Sequence, residues 1–291
     1  MDDFPHFIPI SSVPSPASET DAILVPTNAK IAAAETECSR GDSLKASASI
    51  DELIQEGTPV QNLKICLRLA LQSGNKDLVQ KLLRLGVPIA TSTICAAVDQ
   101  KSLESMSLLF EYGWDVNEEL EWCYPGPLSD ALKEDADESV VNWFLSHGAD
   151  PDKMCQMDTT PFSTAVQYAP IPILKLLFSH TSYPRHGQLL HHAARRTSDD
   201  CCEVMKRVLD RYRVDVNMIM YEDHAFSFEM HKCLGLGTPL HEAAKYGRPE
   251  VARVLLDQGA DINILDSCGQ TALAQAEISG NYAILDLLRY N

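Results

Sequence analysis

No apolar run in this 291-residue sequence is long enough to cross a bilayer as a helix, so no transmembrane helix is expected. Positive charge is also short. Against 41 aspartates and glutamates stand 24 lysines and arginines, a formal net charge of −17. Phosphate backbones and anionic lipid surfaces are repelled by such a chain, so neither nucleic acid nor membrane is expected as a partner. A basic protein surface is attracted and steered. Catalytic signatures are missing as well: there is no Walker-type loop, no G-x-G-x-x-G after a strand and no G-x-S-x-G elbow. A non-enzyme with no cofactor is expected. The start, Met1-Asp2-Asp3-Phe4-Pro5, is acidic and proline-broken, unlike a secretory leader. Nine cysteines, odd in number and evenly spread, read as free thiols in a reducing compartment, hence cytoplasm or nucleus.

What is present is enough apolar material, 45% of residues, to bury a core. Residues 1–27 stand apart, with Pro5, Pro9, Pro14, Pro16 and Pro26 among serines, and read as a disordered tail. From residue 28 to 291 the pattern turns helical and repeats. Its clearest unit runs from Thr238 to Gln270, and the next opens at Thr271, 33 residues on. Thr238 suits an N-cap and Pro239 the first helical position, where a missing N–H does no harm. Leu240, Ala243 and Ala244 give a small apolar face. Gly247 ends the first helix and Pro249-Glu250 start a second. Val251, Val254, Leu255 and Leu256 follow at helical spacing, before Gly259 closes the helix.

These residues resemble the ankyrin repeat family, on TPLHEAA, Gly247, VLLDQGADIN and the 33-residue step. The resemblance implies an all-α solenoid of about seven helix–turn–helix repeats with hairpin finger loops. It also implies a protein–protein interaction module, adaptor or stoichiometric inhibitor, binding on its concave and finger face. It further implies that His241 bonds local backbone and locks its turn. Weaker copies open at 65, 92, 126, 160 and 188, with Asn28 to Gly57 as a capping pair. The partner is expected to be another protein with a basic surface, and the chain itself a monomer.

Departures from the repeat locate the candidate site, because insertions map to loops on one face. The step from 188 to 238 is 50 residues; the finger after Asn217 is 13 residues longer than its neighbour, and 4 more enter near Ser198–Cys202. The long finger carries Met218, Met220, Tyr221, Phe226, Phe228 and Met230, residue types that interfaces favour, although a long loop can equally fold back on its own apolar groups. A second finger carries Trp114, Trp122 and Tyr124 beside Glu118, Glu119 and Glu121. Here Trp122 is expected to pack on the neighbouring finger. Trp114, Tyr124, Tyr221, Phe226 and Phe228 are the candidate anchors, with Glu118, Glu119 and Glu121 as rim charges.

Thr181 stands where a glycine is expected to end the second helix of its repeat, and Pro170 and Pro172 crowd the start of that helix, which predicts a distorted repeat. His191, His192, Cys201, Cys202, His224, His231 and Cys233 fall together in the irregular repeat 188–237. None of these pairs has C-x2-4-C or H-x3-5-H spacing, so no metal site is expected. The alternative function is an unusual enzyme or a small-molecule or metal binder using that repeat as a pocket, which would need His224, His231 and Cys233 to converge.

Overall fold

The computed structural model describes residues 29–181 and 186–290. The expected disordered tail, residues 1–27, lies outside the described residues. Helices account for the regular structure among them; the pairing of Glu121 with Tyr124 is an isolated bridge and not a strand. The chain divides into two compact units, with the boundary after Asp115.

The first unit holds three helix pairs: α1 (Ala29–Arg40) with α2 (Ser43–Gln55), α3 (Lys64–Gln72) with α4 (Lys76–Arg84), and α5 (Thr91–Asp99) with α6 (Leu103–Glu111). First helices pack on first helices, α1 on α3 on α5, and α2 packs on α4. Short polar side chains start the second helices. Asp42, Asn75 and Ser102 each accept the N–H three residues on, at 3.2–3.3 Å. Ile50, Leu53, Leu67, Leu71, Leu78, Leu82 and Ile94 form the core.

The second unit opens on a 3-10 turn (Pro127–Leu132) followed by α7 (Glu138–Ser146). Four further pairs follow: α8 (Pro161–Tyr168) and α9 (Ile171–Phe178), α10 (Leu189–Arg195) and α11 (Cys201–Tyr212), α13 (Pro239–Lys245) and α14 (Pro249–Asp257), α15 (Ala272–Ser279) and α16 (Tyr282–Arg289). Between α11 and α13 the long finger forms its own short helix, α12 (Ala225–His231), and a 3-10 turn (Lys232–Leu234). First helices again stack in sequence from the 3-10 turn through α8, α10 and α13 to α15, and α11, α14 and α16 form a second layer.

Two backbone clasps repeat. Second helices end in Schellman motifs: Gly113 N–H reaches the Phe110 carbonyl at 3.0 Å and Trp114 N–H the Leu109 carbonyl at 3.1 Å. The same pair of bonds recurs at Gly86-Val87, Gly148-Ala149 and Gly259-Ala260. Asparagine then clamps the following loop. Asn117 donates to the Gly148 carbonyl (2.8 Å) and accepts from Asp150 N–H (2.8 Å); Asn217 does the same with Gly259 and Asp261 at 3.3 and 2.8 Å.

The distorted repeat is present and compensated. Thr181 does not take a left-handed conformation; its buried hydroxyl meets the Tyr212 hydroxyl, and Tyr212 stacks on Phe178. Helix α8 ends at Ala169-Pro170 without a glycine. The buried Arg196 guanidinium takes its orphan carbonyls instead, Val166 at 3.2 Å and Ala169 at 2.9 Å. Asp200 grips the same guanidinium at 2.6 and 2.8 Å, so the four-residue insertion supplies the counter-charge for a buried cap.

Candidate functional site

The irregular repeat keeps the frame of its regular neighbour. In the regular one, His241 Nδ1 accepts from Thr238 N–H at 3.1 Å, which leaves the proton on Nε2 to donate to the Gln270 carbonyl at 3.1 Å. His241 thereby locks its own turn and grips the residue before the next repeat. His191 Nε2 makes the equivalent bond to the Gly237 carbonyl at 3.1 Å, 46 residues on rather than 29. Gly237 has to be glycine: a Cβ there would sit 2.4 Å from the His241 ring. Burial lowers both histidines, His191 to about 4.

A charged clamp ties the irregular repeat to the next. Arg195 forks onto Glu242 at 2.7 and 3.1 Å, and both side chains are buried. Burial would raise Glu242, but the adjacent guanidinium wins and holds it down at about 2. Arg195 also reaches the Met220 sulfur at 3.1 Å, which anchors the long finger. Beside the clamp, His192 Nδ1 meets Gln167 at 2.7 Å, and burial first, then Arg195, lowers its pKa to about 3.

The long finger folds back at its base. Met220 N–H bonds the Gly237 carbonyl (2.9 Å) and Tyr221 N–H the Gln188 side chain (3.1 Å). Met220, Tyr221 and Leu236 form a small core on which Ile219 and Phe228 pack. Tyr221 is therefore buried and Phe228 half-buried, so neither is the free surface anchor that the sequence suggested. Burial pushes the Tyr221 hydroxyl up to about 12. His224 and His231 are local caps, His224 Nδ1 on Ser227 and His231 Nδ1 on the Ser227 carbonyl. Cys233 is exposed. Among the described residues no group of three or more His, Cys, Asp or Glu side chains is placed to hold a metal ion. Nor is any helix there long and apolar enough to cross a membrane.

Trp114, offered as an anchor, is buried, whereas Trp122 packs on another finger and stays part-exposed. Trp114 occupies the Schellman slot that Ala149 and Ala260 fill elsewhere, and it is only 3% exposed. Trp122, expected to pack, is 46% exposed. Its ring meets Phe226 of α12 edge-on, centroids 6.2 Å apart, so the inserted helix reaches back to an earlier finger. Phe226 itself is 48% exposed. Glu118, Glu119 and Tyr124 come together in one small pocket with Pro125, Lys153 and Met154. Tyr124 is half-buried and donates to Asp130 at 2.7 Å; Glu118 and Glu119 are exposed and Glu121 is half-buried. The acidic run is divided in duty, since Asp137 caps α7 and Asp130 holds Tyr124 and Lys133.

Stacked helix pairs joined by periodic loop clasps define a helical repeat scaffold. Residues 230–276 match the family model for ankyrin repeats in many copies, so the chain carries ankyrin repeats. It is 43% identical over 54 residues to the probable E3 ubiquitin-protein ligase XBOS33 of Oryza sativa subsp. japonica, covering 19% of this chain and 10% of that one. It is 46% identical over 54 residues to the E3 ubiquitin-protein ligase XBAT33 of Arabidopsis thaliana, with the same coverage. Over 53 residues it is 51% identical to the ankyrin repeat and KH domain-containing protein 1 of Homo sapiens, 18% of this chain and 2% of that one. The chain thus spans a tenth or less of these relatives. Ankyrin repeats are a protein–protein interaction module and are generally non-catalytic.

Proposed function

We propose that the second unit binds a protein partner with a basic surface through its finger side, as an adaptor or stoichiometric inhibitor and not as an enzyme. The observation that carries this reading is the exposed finger 118–124, where Glu118, Glu119 and Trp122 stand beside the small pocket and against Phe226. An aromatic set in an acidic rim suits insertion of an apolar group flanked by lysine or arginine. The net charge of −17 supports steering of such a partner and a monomeric state. The even spread of cysteines supports a setting in cytoplasm or nucleus. Ligase activity belongs to the relatives so named and is not carried over.

The test is affinity capture from native lysate with wild type beside Glu119→Lys/Glu121→Lys, both confirmed as folded. A basic protein held by wild type, released by salt and lost by the variant is expected. Equal capture by both would remove the acidic finger as the binding surface.

A further inference from the structure

The inserted helix α12 is half used. Phe228 turns inward onto Met220 and Tyr221. Phe226, Met230 and Leu234 lie at i, i+4 and i+8, and are 48, 53 and 44% exposed. Residues four apart on a helix share a face, so Phe226 and Met230 form an apolar stripe on α12, and exposed Leu234 follows it in the 3-10 turn that ends the helix. Trp122 extends the stripe at its start, through the edge-on contact with Phe226. Nothing in the fold asks for this: the core of the finger is complete without these four side chains, and the regular repeat dispenses with the whole insertion.

Acidic side chains border the stripe. Glu119 and Glu121 precede Trp122 in sequence, Glu222 and Asp223 precede α12, and Glu229 lies beside Met230 in a pair with Lys232 at 2.6 Å. That border selects the occupant. A second copy of this chain brings −17, and the chain's own first residues include Asp2 and Asp3, so both are repelled. We infer that the stripe of Trp122, Phe226, Met230 and Leu234 is the docking site for a basic amphipathic helix of another protein. The helix would lay aliphatic residues at i, i+3/i+4 and i+7 along the stripe and point lysines or arginines at the acidic border. Ridges with four-residue spacing fit the grooves of a second helix, and Met230 adapts to the side chain it meets. This deepens the finger-side reading and rests on it.

The probe is a fluorescein-labelled peptide of about 15 leucines and lysines with the leucines at helical spacing, titrated into the intact protein. Its control is an isomer of the same composition with leucine and lysine strictly alternating. The helical peptide should bind about tenfold tighter than the isomer, and Phe226→Ser and Met230→Ser should each weaken it about tenfold. Bound peptide should shield tryptophan from acrylamide, a signal that reports Trp122 because Trp114 and Trp143 are 3% and 8% exposed. Equal binding of the two peptides, or serine variants within about twofold of wild type, overturns the inference. If Glu119→Lys/Glu121→Lys then weakens both peptides alike, the acidic finger stands and only the helical stripe falls. If that variant also changes nothing, the finger-side reading falls too.

Discussion

The regular repeat 238–270 and the irregular repeat 188–237 stack side by side and share one frame. Each sends a histidine Nε2–H to the carbonyl just before the following repeat, and each lies against a loop clasped by Asn217. They differ in how their ends are made. The regular repeat opens on Thr238-Pro239 and closes at Gly259 in a left-handed turn. The irregular one opens on Gln188, itself left-handed, and closes on Arg213, a side chain in the left-handed place of a glycine. It recovers with charge: Arg196–Asp200 caps the preceding helix, and Arg195–Glu242 bolts it to its neighbour. Chain length between clasps is free so long as the clasps survive, whereas the cap missing from the preceding helix is replaced by the Arg196–Asp200 ion pair.

The sharpest way to break this comparison is Arg195→Met, which strands Glu242 in the core. A loss of about 3–5 kcal/mol in urea unfolding is expected, largely restored by Glu242→Leu in the same chain. A loss under about 1 kcal/mol would mean that the bolt is ornamental. Next comes pH. His191 and His192 sit at about 4 and about 3 when folded, below their unfolded value near 6.5. The unfolded chain therefore binds more protons in between. Stability is full above pH 6.5 and falls as pH drops toward 4, on the order of 3 kcal/mol per histidine. Urea midpoints that stay flat from pH 7.5 to about 4.5 would contradict the burial of both rings. Glu242, near 2, holds its charge through that window. The smallest effect sharpens the comparison: Arg213→Gly should raise the melting stability by about 0.5–1 kcal/mol, by relieving a left-handed side chain. The regular repeat has no such gain to offer at Gly259.

The repeat frame was readable because its signals are local. Thr238-Pro239, the small apolar first-helix face, Gly259 and the step of 33 residues each act within a turn or two. His191 was likewise found by alignment with His241. The site was less readable, because exposure of a loop side chain depends on what crosses it. Trp114 was misplaced although a local signal existed: it follows Gly113 as Ala149 follows Gly148 and Val87 follows Gly86, in a slot buried in all three. Trp122 had no such signal, since α12 arrives from about a hundred residues away. Tyr221 and Phe228 were drawn inward by Leu236 and Met220, a satellite core that no periodicity announces. The roles of Arg195 and Arg196 escaped notice because a cation at a helix end looks like a surface residue until its partner is known.

The histidine bond has a direction, and that direction sets a clock. Each ring reaches forward to a carbonyl that is made later. On a ribosome adding about 5–20 residues per second, His241 waits for the 29 residues to Gln270, and His191 for the 46 to Gly237. For roughly 2–9 s the irregular repeat exists as a helix pair whose buried-to-be ring has nothing to hold. The insertion that gives the finger its reach also makes this repeat the slowest to be sealed as the chain emerges.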